Sequence, residues 1–282
     1  METITRFAPS PTGYLHLGHA YSALINFEYA RSVHGQFLLR IEDIDQGRCR
    51  PEYESAIYED LAWLGLEWEQ PVLRQSERMA IYEAQLAALQ ERGLVYRCFK
   101  TRKDIEQAMS APHDSPTGAF RGEALAALEE RDNLANGKPY AWRLSLTEAK
   151  AALGTTFSTL VYVEDTPGGL VDQPAEVERF GDVVLGRKDS GTSYHLSSVI
   201  DDATQGVTHV IRGEDLQEAA GLHALLYALF DLEPPIYRHH PLILGADEKR
   251  LAKRDQAATL RAMRDRGMSP DDLRAQLPDL AL

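Results

Sequence analysis

Apolar and polar residues alternate in blocks along the first third of the chain. Short apolar runs at 3–8 and 37–41 predict strands, and the second predicts a strand buried on both faces because its apolar residues do not alternate. Stretches with helical periodicity lie at about 20–34, 51–65 and 76–92. Strand, helix, strand and helix in this order predict right-handed crossovers and a parallel sheet.

The pattern changes after Tyr96. Residues 99–140 are mostly polar and contain one helical piece near 123–131, which predicts an insertion rather than a continuation of the sheet. Runs of β-branched and aromatic residues at 160–163 and 180–185 predict strands within that insertion.

Apolar runs typical of a sheet return after residue 193. The runs at 194–200 and 207–211 predict two more buried strands, and charged residues follow each of them. A helix is predicted at 216–230, and a short apolar run at 242–244 precedes a basic stretch.

The fold that these patterns predict is α/β. We expect a Rossmann-like doubly wound parallel sheet with an inserted α+β subdomain and a short helical C-terminal segment. The first half of the sheet domain is placed at 1–98, the insertion at 99–190, the second half at 191–256 and the C-terminal segment at 257–282.

The composition is that of an ordinary globular protein, with 44% hydrophobic and 26% charged residues. No run of eighteen apolar residues is present, so we expect no membrane partner. Cys49 and Cys98 cannot form a disulfide framework, and the first residues lack the layout of a secretory signal. A cytoplasmic location is therefore expected.

The charge is unevenly distributed. There are 30 basic and 43 acidic residues, and the net charge of −13 taken alone argues against a nucleic-acid partner. The stretch 249–267, however, holds seven basic and two acidic residues. This basic stretch either guides a polyanion to one face of the protein or is a solvated helix face.

The first candidate site lies where the first strand turns into the first helix. Residues 6–13 read R-F-A-P-S-P-T-G, and His16-Leu17-Gly18-His19 follows shortly after. A helix N-terminus at the carboxyl edge of a sheet favours an anion such as phosphate. Gly18 lets backbone approach such a ligand, and both imidazoles can donate to it. The alternative is a capped helix start with two exposed histidines.

Two further features point to the same edge of the sheet. Glu42, Asp43 and Asp45 follow the second strand, and Arg212 follows the predicted strand at 207–211. The third feature is the basic loop at 249–254.

Together these features resemble the class I aminoacyl-tRNA synthetases, in which an H-x-G-H turn and a K-M-S-K-S loop hold ATP. The segment 250–254, R-L-A-K-R, is similar to that loop, with Lys253 at the position of its second lysine. The motifs at 6–13, 40–45 (R-I-E-D-I-D) and 206–216 (G-V-T-H-V-I-R-G-E-D-L) narrow the resemblance to the glutamyl branch.

Only 28 residues follow Arg254, whereas a full glutamyl-tRNA synthetase continues into a large anticodon-binding domain. The resemblance is therefore closest to the glutamyl-queuosine tRNA(Asp) synthetases. It implies a ligase that activates glutamate with ATP and Mg and attaches it to the queuosine base in the anticodon loop of tRNA(Asp). A monomer is expected.

The resemblance also implies roles for individual residues. It implies that a first set binds glutamate: Arg6, Phe7, Ala8, Pro9, Ser10, Glu42, Tyr194 and Arg212. It implies that a second set binds ATP: His16, Gly18, His19, Arg250, Leu251, Ala252, Lys253 and Arg254. His16, His19 and Lys253 are the expected catalytic residues, because they suit the charge that develops on the leaving pyrophosphate. Arginines suit the two substrate carboxylates, and Glu42 suits the substrate ammonium.

The chain departs from the family at its zinc site. Many members place a C-x-C pair, a tyrosine and another cysteine in the insertion, whereas the corresponding stretch here is Cys98-Phe99-Lys100. One thiol, even with His113, does not complete a four-ligand site, so we expect no zinc. The insertion is then expected to fold by apolar contacts that include Phe120, Trp142 and Phe157.

Three alternatives differ in class. A truncated synthetase would charge the 3′ end of tRNA(Glu) or tRNA(Gln). An inactive paralogue would usually have lost a histidine or the lysine, and here His16, His19 and Lys253 are present. A small nucleotidyltransferase would leave the glutamate motifs unexplained. For an active synthetase, the prediction is that His16, Glu42, Tyr194, Arg212 and Lys253 line one cleft.

Overall fold

The computed structural model describes residues 2–101, 103–105, 119–243 and 259–280. The strands are β1 (Ile4–Phe7), β2 (Gln36–Ile41), β3 (Glu69–Arg74), β4 (Val95–Cys98), β5 (Ala141–Leu144), β6 (Val161–Thr166), β7 (Gly169–Pro174), β8 (Val184–Gly186), β9 (His209–Gly213) and β10 (Ile236–His240). The helices are α1 (Leu17–Ser32), α2 (Pro51–Trp63), α3 (Met79–Glu91), α4 (Ala127–Ala135), α5 (Leu146–Leu153), α6 (Thr155–Ser158), α7 (Tyr194–Thr204), α8 (Gln217–Phe230), α9 (Leu260–Asp265) and α10 (Pro270–Arg274).

The central sheet is built mainly from parallel strands. β1, β2 and β3 pair in parallel, and β9, β10 and β6 do the same, with β7 antiparallel to β6 at the edge. The two groups meet at β1 and the start of β9, where the Thr208 amide donates to the Ile4 carbonyl at 3.0 Å. The predicted α/β fold with a Rossmann-like parallel sheet is confirmed.

The turn from α1 into β2 depends on a glycine. A Cβ atom on Gly35 would lie 2.3 Å from the Thr3 carbonyl oxygen, so a larger residue would push β1 and β2 apart. The predicted strands at 3–8 and 37–41 and the helix at 20–34 correspond to β1, β2 and α1, within a few residues at each end.

A second, antiparallel sheet contains β4, β5 and β8, of which β5 and β8 lie within the predicted insertion and β4 directly precedes it. The buried carboxylate of Asp182 holds three of its segments together, because it accepts from the Tyr96 hydroxyl and from the amides of Gly122 and Leu146. Of the expected apolar residues, Phe157 is buried in the main core, while Arg143 stacks on Phe120. Arg97 stacks on Trp142.

Two strands assigned to the insertion belong elsewhere or are shorter. β6 pairs in parallel with β10 and so extends the central sheet, and Tyr162 packs edge-on against Tyr237 of that strand. The run at 180–185 contributes only its last two residues to β8, after a 3-10 turn at Val177–Phe180. The bounds of the four predicted domains stay a prediction.

The predicted strand at 194–200 is wrong, because these residues form the helix α7. The Ser193 hydroxyl caps it by accepting from the Leu196 amide. Leu196, Val199 and Ile200 are buried at helical spacing, so the apolar run marks a buried helix face and not a strand.

β3 and β10 were not predicted. β3 contains Pro71 and lies at an edge of the sheet, and β10 has three polar residues in a row, Arg238 to His240. The helix predicted from Ser76 begins at Met79, because Ser76 donates its hydroxyl to Asp43 within a 3-10 turn. Leu242 and Ile243 form no regular element, and Leu244 lies outside the described residues.

The hydrophobic core has two main parts. One runs from α8, through Leu225, to Leu144 and Leu185 of the second sheet. The other lies between α1, β2 and α2, and Leu260 and Leu273 of the C-terminal helices complete it. The predicted helical C-terminal segment therefore packs against the first half of the central sheet. No helix in the described part of the chain is long and apolar enough to cross a membrane.

Candidate active site

A cleft of about 470 Å³ opens at the carboxyl ends of β1, β2 and β9, beside the start of α1. Eleven of the residues predicted to bind glutamate or ATP line it: Arg6, Phe7, Ala8, Pro9, Ser10, His16, Gly18, His19, Glu42, Tyr194 and Arg212. The structure thus brings together every predicted site residue that it describes. Arg250, Leu251, Ala252, Lys253 and Arg254 lie outside the described residues.

Backbone contacts fix the floor of the cleft where β1 and β2 end. The Glu42 amide donates to the Pro9 carbonyl at 3.0 Å, and the Ser10 hydroxyl donates to the Glu42 carbonyl at 2.5 Å. The motif at 6–13 and the carboxylate after β2 are therefore held side by side.

The two histidines form the N-terminal cap of α1. Nδ1 of His16 accepts from the Gly18 amide, and Nδ1 of His19 accepts from the His16 amide, both at 3.2 Å. A ring nitrogen that accepts has no proton, so in each neutral imidazole the proton lies on Nε2. The ring centroids are 3.8 Å apart. The alternative of a capped helix start is correct about the cap, and the same two rings line the cleft.

The residues that flank 244–258 in the sequence lie at or next to this cleft. Ile243 lines it, and Thr259 forms a β-bridge with His16. The Leu260 amide also donates to the Leu15 carbonyl at 2.8 Å. In the sequence, the predicted ATP-binding residues at 250–254 therefore lie between Ile243, which lines the cleft, and Thr259, which contacts His16.

Behind the cleft lies a chain of buried charges. Nε and Nη2 of Arg6 contact the two oxygens of Asp202 at 3.1 and 3.4 Å. Arg40 joins this pair to Glu42, with Nη1 at 2.6 Å from Asp202 and Nη2 at 3.0 Å from Glu42. All four residues are less than a tenth exposed. Each group is thus held in one orientation.

This chain of charges leaves specific atoms for a ligand. Because Asp202 occupies Nε and Nη2 of Arg6, Nη1 is the guanidinium nitrogen that has no hydrogen-bond partner within the described ranges. Likewise, Oε1 of Glu42 accepts from Arg40, and Oε2 remains. Burial raises the pKa of Glu42 although Arg40 opposes the shift. Burial also tends to raise the pKa of Asp202, but the positive charges of Arg40 and Arg6 hold that pKa below its ordinary value.

The other predicted carboxylates have structural roles. Asp43 accepts from the amide and hydroxyl of Ser76, and Asp45 pairs with Arg48 at the surface. Asp201 accepts from the Tyr82 hydroxyl, among other donors, on the α3 side. Of the three carboxylates expected after β2, Glu42 is the one that lines the cleft.

Arg212 on β9 lines the same cleft as Arg6 and Glu42. Its Nη1 donates to the Tyr194 hydroxyl at 3.2 Å, and its Nε donates to Nε2 of His239 at 3.4 Å. Nη2 is buried and has no hydrogen-bond partner among the described residues. A buried guanidinium nitrogen without a partner is costly, so this atom is suited to a carboxylate oxygen of a ligand.

A histidine pair beside Tyr194 adds no positive charge. Nδ1 of His195 and Nε2 of His223 are 3.3 Å apart. Burial, followed by the charge of Arg212, lowers the pKa of His195 to about 4, and burial lowers the pKa of His223 well below its ordinary value. At neutral pH the pair of His195 and His223 is therefore uncharged.

Sequence reasoning missed Arg40, Asp202 as a partner of Arg6, and His239. Asp202 was placed at a strand end, whereas it lies on α7. The one sequence feature that could have pointed to His239 is the polar Arg238-His239-His240 run at the end of an otherwise apolar strand.

The described part of the chain contains no group of three or more side chains able to hold a metal ion. Cys98 is buried in β4, and His113 lies outside the described residues.

The chain matches the catalytic domain of the class I tRNA synthetases (E and Q) over residues 2–278. It is 46% identical to the glutamyl-Q tRNA(Asp) synthetase of Rhodobacter capsulatus, over 96% of this chain and 98% of that protein. The same enzyme of Nocardia farcinica is 41% identical, with 97% and 83% covered. A glutamate–tRNA ligase of Coprothermobacter proteolyticus is 39% identical over 95% of this chain but only 56% of its own length.

Comparison with solved structures also finds a glutamate tRNA ligase. A glutamate tRNA ligase of Elizabethkingia meningosepticum in complex with its amino acid superposes with a TM-score of 0.71 at 30% identity. The match covers 90% of this chain and 52% of that one, so the chain spans about half the length of the solved ligase. A methionyl-tRNA synthetase of Mycobacterium tuberculosis, 10% identical, shares the fold with a TM-score of 0.59. From the family match and the identity to these relatives, the chain belongs to the class I aminoacyl-tRNA synthetases of the glutamate and glutamine type.

Proposed function

We propose that this enzyme activates glutamate with ATP and transfers the glutamyl group to the queuosine base in the anticodon loop of tRNA(Asp). The observation that carries the glutamate assignment is that two arginines and one glutamate line the same cleft. Arg6, Arg212 and Glu42 are all lining residues, and Nη2 of Arg212 is a buried nitrogen with no hydrogen-bond partner in the part of the chain that the structure describes. Two cations and one carboxylate complement a substrate that has two carboxylates and one ammonium group.

Activation joins a glutamate carboxylate oxygen to the α-phosphorus of ATP and releases pyrophosphate. The reacting groups must be held in line and the departing charge neutralised, and no proton has to be moved to the substrate carboxylate. His16 and His19 offer Nε2–H donors at the N-terminus of α1, where an anion is favoured. Lys253 is proposed to act with them from the segment between Ile243 and Thr259. Magnesium that arrives with ATP supplies further positive charge.

The acceptor is proposed from the relatives. Two of the relatives covered over most of their length, from Rhodobacter capsulatus and Nocardia farcinica, are glutamyl-Q tRNA(Asp) synthetases. A bulky base suits a cleft in which activation and transfer take place together, because an unpaired anticodon base can turn outward into a pocket. We still predict that the enzyme is a monomer and that it is located in the cytoplasm.

A second candidate is a synthetase that charges the 3′ end of tRNA(Glu) or tRNA(Gln). It is favoured by the 39% identity to a glutamate–tRNA ligase over nearly the whole of this chain. Both candidates share the activation step and differ in the acceptor.

The absence of bound zinc is a separate prediction. Because the family's C-x-C pair is replaced by Cys98-Phe99-Lys100, we propose that the enzyme works without it. Metal analysis of the purified protein that returns about one equivalent of zinc would overturn this proposal.

Exchange of labelled pyrophosphate into ATP tests the activation step. We expect glutamate to support exchange, and aspartate and glutamine to support little, in reactions run both with and without tRNA. The variant Lys253→Ala should lower kcat and kcat/KM about 100-fold or more, because an electrostatic contact made in the transition state is lost. Lys150→Ala removes a lysine that pairs with Glu178 on the surface and is the matched control. Exchange that depends on another amino acid, or that survives in Lys253→Ala, would contradict the assignment.

A further inference from the structure

The guanidinium of Arg212 is held from behind by two residues that the proposed chemistry does not use. Three neighbouring parallel strands supply this set: Arg212 on β9, His239 on β10 and Glu164 on β6. Arg212 and His239 are register partners across the sheet, and Glu164 lies on the strand on the other side of β10. Glu164 is the register partner of Tyr237, two residues before His239, and the three side chains form a row of contacts across the three strands.

The hydrogen bonds in this row fix the tautomer of the imidazole. Nε2 of His239 accepts from Nε of Arg212 at 3.4 Å, so it has no proton. The proton lies on Nδ1, which donates to Oε1 of Glu164 at 2.7 Å. Gln217 donates to the same carboxylate through its side-chain amide. Every bond therefore has one donor and one acceptor, in the direction from Arg212 to Glu164.

The row is sealed from solvent. The side chains of His239 and Glu164 are 3% and 7% exposed. Arg212 also stacks on Tyr237, with its Cζ 5.0 Å from the ring centroid, and that ring is parallel to the ring of His239. With Nε bound to His239 and Nη1 bound to Tyr194, the guanidinium plane has one orientation, in which Nη2 is buried and has no hydrogen-bond partner among the residues that the structure describes.

We infer that His239 and Glu164 are positioning residues, which hold the guanidinium of Arg212 so that Nη2 meets a carboxylate of the bound amino acid. This inference rests on the proposed function for the identity of that amino acid. Neither residue touches the substrate. Loss of His239 leaves Nε of Arg212 without its acceptor, and the guanidinium can then turn away from the ligand.

Substitutions of His239 and Glu164 test whether the hydrogen bonds of these side chains, and not only their size, position Arg212. His239→Phe keeps a ring of similar size and removes both the acceptor and the donor. His239→Gln restores both, because its amide oxygen can accept from Arg212 and its amide nitrogen can donate to Glu164. Glu164→Gln keeps the shape and one acceptor oxygen but removes the charge.

Pyrophosphate exchange measures the kinetic consequence. For His239→Phe we expect the KM for glutamate to rise about 10-fold to 100-fold, the range for a lost hydrogen bond to a charged group. The KM for ATP should stay within about twofold, since the ATP side of the cleft is unchanged. His239→Gln should recover most of the loss, and Glu164→Gln should fall between the two. An unchanged glutamate KM in folded His239→Phe, an equal rise in the ATP KM, or a glutamine variant as impaired as phenylalanine would overturn the inference.

A spectroscopic measurement on the intact enzyme tests the row without any activity. The side-chain Nε–H signal of Arg212, identified by its loss in Arg212→Lys, should exchange slowly with solvent in the wild-type protein. It should exchange rapidly in His239→Phe and, if that variant does not fold, more rapidly in Glu164→Gln than in the wild type. A signal unaffected by the substitutions would contradict the positioning role. If glutamate supports no exchange in the wild type, the proposed function fails, while this measurement still decides the inference.

Discussion

Glu42 is the residue whose protonation should control amino-acid binding. Only its ionised form attracts the ammonium of a bound amino acid, and burial raises its pKa above 4.5 although Arg40 opposes the shift. The raised pKa means that protons compete with the substrate at a higher pH than for an ordinary glutamate. We therefore expect the KM for glutamate to rise as the pH is lowered from 8 toward 5.

Glu42→Gln is the control for this prediction. It should raise the glutamate KM at every pH and remove the part of the pH dependence that Glu42 causes. Titration of the substrate's own carboxyl affects both proteins equally, so the ratio of the two KM values isolates Glu42. A ratio that does not change between pH 8 and 5 would exclude a role for Glu42 in ammonium binding.

At the scale of residues, motifs predicted the residues that line the cleft better than the buried residues that hold them in place. The residues at 6–10, together with His16, His19, Glu42, Tyr194 and Arg212, all line it. Arg40, His239 and Glu164 could not be predicted, because their importance depends on distances across the sheet. Their neighbours in sequence carry no periodicity that would distinguish a functional partner from an ordinary strand residue.

At the scale of elements, apolar runs predicted the positions of α1, β1 and β2 to within a few residues, but they predicted a strand where the structure has the helix α7. The polar residues of α7, among them Ser197, Ser198 and Asp201, are buried together with its apolar ones, so polarity did not mark a solvent-exposed helix face. The one local indication was Ser193, which caps α7. β10 was missed for the opposite reason, because its polar residues at 238–240 serve ion pairs and the cleft rather than the core.

The contact between α2 and α9 contains a buried acid that we expect to destabilise the fold at neutral pH. Asp60 on α2 is fully buried and lies 3.3 Å from Nη1 of Arg264 on α9. Burial raises its pKa to about 6, although Arg264 opposes the shift. Because the folded-state pKa exceeds the ordinary 3.8, the folded protein binds this proton more tightly than the unfolded chain. Stability should therefore fall as the pH rises from about 4 through 6.

Asp60→Asn tests this contact. At pH 7.5 the asparagine variant should have a higher free energy of unfolding by about 1–3 kcal/mol, the upper limit being the full pKa shift. Near pH 4 the two proteins should converge. Urea unfolding at both values measures the difference, and Glu59→Gln, which alters an exposed partner of Arg264, should change stability by under about 1 kcal/mol. A less stable asparagine variant at pH 7.5 would show that the ion pair with Arg264 outweighs burial.

At the scale of the whole molecule, the cleft is assembled from both halves of the sheet, and the C-terminal segment contacts one of its lining residues. β1 and β2 supply Arg6 and Glu42, β9 supplies Arg212, and Thr259 joins the C-terminal helices to His16. This explains why motifs spread over much of the chain describe one site.

Two arginines of the basic stretch at 249–267 have a structural role that neither of the two earlier alternatives contained. Among its described residues, Arg264 pairs with Glu59 and Asp60, and Arg261 stacks on Tyr14 and donates to its hydroxyl. Part of the local charge therefore attaches α9 to the first half of the sheet. The part that lies at 249–254 is proposed to serve ATP and the RNA.

Transfer of labelled glutamate to tRNA(Asp) is the measurement that tests the proposed function most directly. Three acceptors are compared: tRNA(Asp) with queuosine, the same tRNA with its 3′-terminal adenosine removed, and tRNA(Asp) without queuosine. The proposal predicts equal labelling of the first two and none of the third. Labelling that requires the 3′ adenosine, or that is independent of queuosine, would contradict it and favour charging at the 3′ end.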